Sequence, residues 1–196
     1  MVKEVDGVMP QIALLSQETI DKIAAGEVIE RPSSVVKELV ENAIDAGSSA
    51  VTVEIKEGGI SFIRISDNGC GIEREQIPLA FLRHSTSKIK SVEDLFTVTS
   101  LGFRGEALSS IAAVSQVELI TKTNGDFTGS RYLIEGSKEV SLEEIGAPDG
   151  TTFIIRNLFY NTPARKKFLK SAQTEGTYIH ELMPVSYTHL TLPTIL

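Results

Sequence analysis

The joins between its β-rich runs constrain this chain most. "VTVEIKEGGISFIRIS" (residues 51–66) is two β-rich stretches joined through Gly58-Gly59, the signal of a hairpin rather than of a strand–helix–strand step. "QVELITKT", "GSRYLIEG", "EVSLEEIG" and "TTFIIRNL" read as further strands. Helical segments stand around these runs and do not alternate with them. "QETIDKIAAGE" follows Ser16, a suitable N-cap, and Gly26 is expected to end it. "EREQIPLAFLRHST" reads as partly helical, "EALSSIAAV" as a short apolar helix, and "RKKFLKSA" and "TEGTYIHELM" as helices near the end. This order predicts an α+β fold, a two-layer sandwich with a mostly antiparallel, mixed sheet and helices on one face. The 196 residues suffice for one domain with a real core, and 41% hydrophobic with 23% charged residues is a globular balance.

One expected helix is unusual. Pro32 suits a first helical turn, Val35, Val36, Leu39, Val40, Ala43 and Ile44 recur at helical spacing, and Gly47 closes the segment. Beside that apolar stripe, "KELVENAIDAG" (residues 37–47) carries Glu38, Glu41, Asn42 and Asp45. Glu38, Asn42 and Asp45 fall on one line along the helix, with Glu41 a turn from Glu38. Like charges at these spacings repel, so something must offset them. Either the face is solvated with lysines nearby, or it meets a hard cation. Magnesium takes oxygen ligands, few from protein and the rest from water and phosphate. The Asn42 carbonyl oxygen suits it, and a carboxylate one turn away can take a proton from an attacking water.

Two glycine-bearing stretches add to this. "DNGCG" (residues 67–71) sits at a strand end. Ionised Asp67 only accepts hydrogen bonds, so it can receive one from an exocyclic amine such as that of adenine. Gly69 and Gly71 permit close backbone approach. Alone, the stretch reads equally as a tight Asp-Asn-Gly turn. In "SLGFRGEAL" (residues 100–108), Gly102 and Gly105 flank Phe103-Arg104 and lead into a helix start near Glu106. Glycine amides before a helix N-terminus make an anion cradle; a plain two-glycine connector is the alternative. No G-x-x-x-x-G-K-[ST] occurs. Residues 85–106, with weak periodicity and many hydroxyls, read as a long functional loop.

Taken in order, "IAAGEVIERPSSVVKELVENAIDAG", "DNGCGI", "RHSTSKI", "LGFRGEALSSI" and "GTTFIIRNLFYNTPARKKFL" resemble the N-terminal ATPase domain of MutL-type DNA mismatch repair proteins, within the GHKL superfamily. The resemblance covers about residues 9–183 and implies a Bergerat-type nucleotide site for ATP and Mg2+. By it, Glu38 matches the general base and Asn42 the magnesium ligand, with Asp45 on the same polar line facing Mg-ATP. Asp67 matches the adenine-recognising carboxylate, Thr151 its supporting hydroxyl, and Gly71 the turn that borders the base. Thr86, Ser87 and Lys88, with Leu101, Gly102, Phe103, Arg104, Gly105 and Glu106, match the lid that wraps the phosphates. The resemblance further implies lid ordering on ATP, homodimerisation of the full-length protein, and action between a mismatch-recognition protein and a downstream repair nuclease or helicase. Another GHKL enzyme, such as a sensor kinase, gyrase-type topoisomerase or heat-shock chaperone, is a rival, as is a nucleotide-binding module with little or no hydrolysis. The lid sequence favours the MutL type.

The formal net charge of −7 gives no global pull toward nucleic acid or an anionic membrane. Residues 83–90 and "RKKFLK" (residues 165–170) are local basic stretches, which either decorate a helix or touch DNA phosphates weakly and without sequence preference. A lone cysteine, Cys70, forms no internal disulfide or zinc cluster, fits a cytoplasmic setting (nucleoid-associated in a bacterium), and reads as a small residue near the site. His84 reads as a lid or surface residue. No stretch reaches a membrane helix, and "MVKEVDGVMP" is no signal peptide. Residues 1–8 read as an extension before an alternative start at Met9, and residues 9–183 as the ATPase domain. "PVSYTHLTLPTIL" (residues 184–196), free of Asp, Glu, Lys and Arg, reads as foreign sequence, or else as an ordinary β tail. Pro184 is expected to break a helix after Met183.

Overall fold

The computed structural model describes residues 13–85 and 105–186. The first helix, α1 (Gln17–Val28), starts as its sequence dictates: the Ser16 Oγ accepts the Thr19 N–H at 3.3 Å. It does not stop at Gly26. Gly26 lies buried inside the helix, and the Arg165 guanidinium fills the space where a side chain at 26 would begin. Glycine there serves a close approach, and the helix ends instead at Ile29, whose N–H donates to the Ala25 carbonyl at 2.7 Å.

Helix α2 (Pro32–Asp45) begins on its proline and buries Val35, Val36, Leu39, Val40 and Ala43. Gly47, at φ +74°, turns the chain out. The Gly47 N–H then reaches the Ile44 carbonyl (2.9 Å) and the Ser48 N–H the Ala43 carbonyl (3.1 Å), satisfying the end of the helix.

The hairpin of β1 (Val51–Lys56) and β2 (Phe62–Asp67) forms with Lys56 opposite Phe62, and a short 3-10 turn, Glu57–Gly59, lies in its connection. Another 3-10 turn (Arg74–Gln76) leads into α3 (Ile77–Ala80). After α4 (Ala107–Val114) come β3 (Gln116–Lys122), β4 (Gly129–Glu135), β5 (Lys138–Ile145) and β6 (Gly150–Arg156). The strand order is β1-β2-β6-β3-β4-β5, and each pairing is antiparallel. The mostly antiparallel sheet expected from the sequence is antiparallel throughout among the described residues: β6 enters between the β1–β2 hairpin and β3 and runs against both neighbours.

One face carries the core. Ile63, Ile65, Val117, Leu119, Tyr132, Ile134, Phe153 and Ile155 alternate along the strands and bury against α2 and α4 residues such as Leu39, Val40 and Ile111. The other face is polar: Glu118 is bonded by Arg131 (2.7 Å) and Arg156 (2.8 Å), and Lys56 and Arg156 lie over the Phe62 ring.

Near the end of the chain, α5 spans Pro163–Phe168, earlier than "RKKFLKSA" implied, because Pro163 opens the helix. Helix α6 spans Ala172–Ser186, so Pro184 does not break it at Met183. A proline removes one backbone hydrogen bond from a helix, and the described helix runs through it. The suggested start at Met9 and most of the expected tail, residues 187–196, lie outside the described residues.

Candidate functional site

Antiparallel register brings three residues abreast. Asp67 closes β2 opposite Thr151 of β6, and Thr151 lies opposite Thr121 of β3. All three share the inward phase of their strands, and both threonines are buried. The Asp67 carboxylate accepts the Gly69 N–H at 2.8 Å and the Ser48 hydroxyl at 3.3 Å. Burial pushes the Asp67 carboxyl above its ordinary value, against the opposing pull of hydrogen bonds from Gly69, Ser48 and the Thr151 backbone. A partly desolvated carboxylate beside hydroxyls suits a ligand that brings its own donor.

The turn after β2 is pinned at both ends. The Asn68 carbonyl oxygen accepts the N–H groups of Ser49 and Ala50, each at 2.9 Å, and Cys70 N–H donates to the Ala46 carbonyl at 3.0 Å. The turn is thereby tied to the C-terminal end of α2. Gly71 takes φ +73°, and a Cβ on it would stand 2.3 Å from the Lys122 carbonyl oxygen, so no other residue fits without moving the strand. Ile72 N–H then donates to the Thr121 hydroxyl at 2.9 Å. Cys70 is exposed at the apex, in keeping with a small residue of the turn.

On α2, Glu38 and Asn42 are half-buried and Asp45 is exposed. Lys37 answers part of the charge question: its Nζ lies 3.0 Å from Glu41 and 3.9 Å from Glu38. A nearby lysine thus offsets Glu41 chiefly. Asn42 precedes by one turn the Ala46 carbonyl on which the β2 turn docks, and Glu38 lies one turn further back. Among the described residues, no group of three or more His, Cys, Asp or Glu side chains could hold a metal ion.

Of the phosphate-loop positions, Thr86, Ser87, Lys88, Leu101, Gly102, Phe103 and Arg104 lie outside the described residues. Gly105 and Glu106 are described. Gly105 has φ +62°, and a Cβ there would meet the Ser85 carbonyl oxygen at 2.5 Å. Glu106 lies 3.2 Å from the Nδ1 of His84, whose side chain is exposed. Residues 84–85 and 105–106 therefore sit side by side at the start of α4.

The model for histidine kinase-, DNA gyrase B- and HSP90-like ATPases matches residues 27–160, the span that holds all of these groups. The chain belongs to that ATPase family. Within the family its sequence is similar to MutL proteins. It is 78% identical over 175 residues to the DNA mismatch repair protein MutL of Agathobacter rectalis, covering 89% of this chain and 27% of that protein. Its counterpart from Caldanaerobacter subterraneus is 55% identical over 175 residues, covering 89% of this chain and 30% of the relative. The chain thus spans less than a third of the length of these relatives. Among solved structures, the Aquifex aeolicus MutL ATPase domain complexed with ADP is similar at a TM-score of 0.65 and 33% identity, covering 86% of this chain and 60% of that one.

Sequence reasoning missed Thr121, Ser48 and Asn68. Thr121 had a signal: in "QVELITK" it takes the inward phase of Val117 and Leu119, where a hydroxyl needs a buried partner. Ser48 and Asn68 had none, because their partners are set by how the turn docks on α2.

Proposed function

We infer that this chain is the ATP-binding and hydrolysing part of a MutL-type DNA mismatch repair protein. The observation that carries the inference is the Asp67 carboxylate, partly buried opposite Thr151 and fixed by a turn locked to α2. It receives the adenine amine, with Thr151 supporting it and Gly71 bordering the base. Glu38 orients the attacking water and takes its proton. Asn42 would hold magnesium, a fit supported by its half-buried place one helical turn from Glu38 and by a metal that draws most of its ligands from water and phosphate. Magnesium, when bound, spreads the phosphate charge. Asp45 lies along the same helix line, toward its exposed end. Thr86, Ser87, Lys88, Leu101, Gly102, Phe103, Arg104, Gly105 and Glu106 wrap the phosphates; the contact of Gly105 with Ser85 supports a loop whose two ends meet beside α4.

In the whole protein, ATP-driven ordering of that loop and homodimerisation couple mismatch recognition to a downstream nuclease or helicase. DNA contact is weak and non-specific, and the setting is cytoplasmic. The family match over residues 27–160 falls within a domain of residues 9–183, with residues 1–8 as an extension and residues 184–196 as an atypical tail. A second reading is a nucleotide-binding module with little or no hydrolysis, since the geometry at Asp67 and Thr151 speaks to binding and not to turnover.

Titration calorimetry of AMPPNP with magnesium, on this chain and on Asp67→Ala, tests the site. Binding by the parent and loss in the variant is expected; no binding by the parent, or equal binding by both, overturns the assignment. Phosphate release from ATP by the same preparation then separates the two readings.

A further inference from the structure

We propose that Thr121, two strands from Asp67, is a positioning residue that sets base selectivity by holding the Thr151 hydroxyl as an acceptor toward the ligand. The proposal rests on the nucleotide reading above. It starts from one crowded oxygen. The Thr121 Oγ1 lies 3.0 Å from the Gly150 carbonyl oxygen, 2.9 Å from the Ile72 nitrogen and 3.1 Å from the Thr151 Oγ1. A hydroxyl has one proton to give and two lone pairs to receive. The Gly150 carbonyl only accepts, so the Thr121 proton goes there. The Ile72 N–H only donates, so it takes one lone pair. The second lone pair is left for Thr151, which must therefore donate its own proton to Thr121.

That fixes the polarity of Thr151. Its single proton is spent inside the sheet, and its oxygen retains only lone pairs for anything else. Its backbone N–H favours the charged form of Asp67, which lies directly across from it and is also acceptor-only when ionised. This end of the site thus offers acceptors from both Asp67 and Thr151 and no free hydroxyl donor. A 6-amino purine, whose exocyclic nitrogen carries two N–H donors, is complementary to that pair. A 6-oxo purine presents a carbonyl oxygen to two acceptors and is rejected. The same Thr121 oxygen receives the Ile72 N–H, so it also ties the end of the β2 turn to β3. Selectivity is then set by a residue that does not touch the base.

Removing the Thr121 hydroxyl frees the Thr151 proton to rotate toward the ligand, which turns an acceptor into an optional donor. The test is calorimetric Kd values for AMPPNP and for its hypoxanthine counterpart, inosine 5′-(β,γ-imido)triphosphate, on the parent, Thr121→Val, Thr121→Ala and Thr121→Ser. The parent is expected to favour the adenine nucleotide. Thr121→Val and Thr121→Ala should each narrow that preference by about tenfold, the size of one exchanged hydrogen bond. Thr121→Ser, which keeps the hydroxyl, should retain it. A purely structural role weakens both nucleotides together and leaves their ratio at the parental value, and that result overturns the proposal. So does a parent that binds both nucleotides equally well, an outcome that needs no variant to fold. A parent that binds neither nucleotide is distinct: it overturns the site assignment itself, and this proposal with it.

Discussion

Ionised Asp67 carries a cost in the folded chain. Burial raises its carboxyl above the ordinary value of 3.8, so ionised Asp67 is less favourable folded than unfolded. For a raised carboxyl, the contribution to stability is fully present below the unfolded value and is lost as pH rises through the folded one. At neutral pH the charge therefore destabilises the fold. Asp67→Asn removes the charge and keeps an oxygen to accept the Gly69 N–H, so thermal melting at pH 7 should show it no less stable than the parent. Binding should go the other way. On the proposed reading Asp67 receives the adenine amine in its ionised form, so parental affinity for AMPPNP, divided by that of Asp67→Asn, should fall with acidification from a pH above 3.8. A ratio that stays flat even below pH 3.8 would count against Asp67 as the base acceptor. Asp67 was legible in the sequence because its turn residues are contiguous with it. Thr121 was not, because its meaning depends on β3 and β6 pairing so that residue 121 meets residue 151.

At the scale of elements, the least expected contact joins α1 to α5. The Arg165 Nη1 donates to the Gly26 carbonyl at 2.7 Å, and a Cβ on Gly26 would stand 1.4 Å from the other terminal guanidinium nitrogen. This explains a glycine inside a helix, where it costs roughly 0.5–1 kcal/mol against alanine. It also gives Arg165 a role within the fold. The two residues should therefore couple. Gly26→Ala alone forces the guanidinium off the carbonyl and loses a charged hydrogen bond, typically about 1.5–3 kcal/mol, which outweighs the gain in helix propensity. In an Arg165→Ala background the same change has nothing to displace and should stabilise by about 0.5–1 kcal/mol. Chemical denaturation of the four species gives the cycle; additive effects would mean that the contact carries no energy. Helix starts were legible here, since Ser16, Pro32 and Pro163 act on their own first turns. Helix ends were less so. Gly26 read as a stop because the residue that explains it lies 139 positions away, and Pro184 read as a breaker though the helix runs through it.

Across the whole molecule, the hairpins and the alternation of apolar residues were enough to place a sheet under helices, but not to place β6 at its centre. That insertion is what lines up Asp67, Thr151 and Thr121 on one face. On the opposite face it lines up Arg156, Glu118 and Arg131, from β6, β3 and β4. Burial pushes the Glu118 carboxyl up, but the hydrogen bonds and charges of Arg156 and Arg131 outweigh it and hold the group below its ordinary 4.5. For a depressed carboxyl, the contribution to stability is present above the unfolded value and is lost as pH falls through the folded one. Glu118 therefore supports the central strands at neutral pH and stops doing so in acid, below about pH 4.5. Glu118→Gln keeps an acceptor for one arginine but leaves two cations without their shared anion. It should cost about 2 kcal/mol at pH 7, and the difference from the parent should shrink as both are taken below pH 4.5. Melting curves of the two proteins across that range make the comparison. A difference that stays constant with pH would assign the loss to shape, and the sheet would then owe nothing to the charge at its centre.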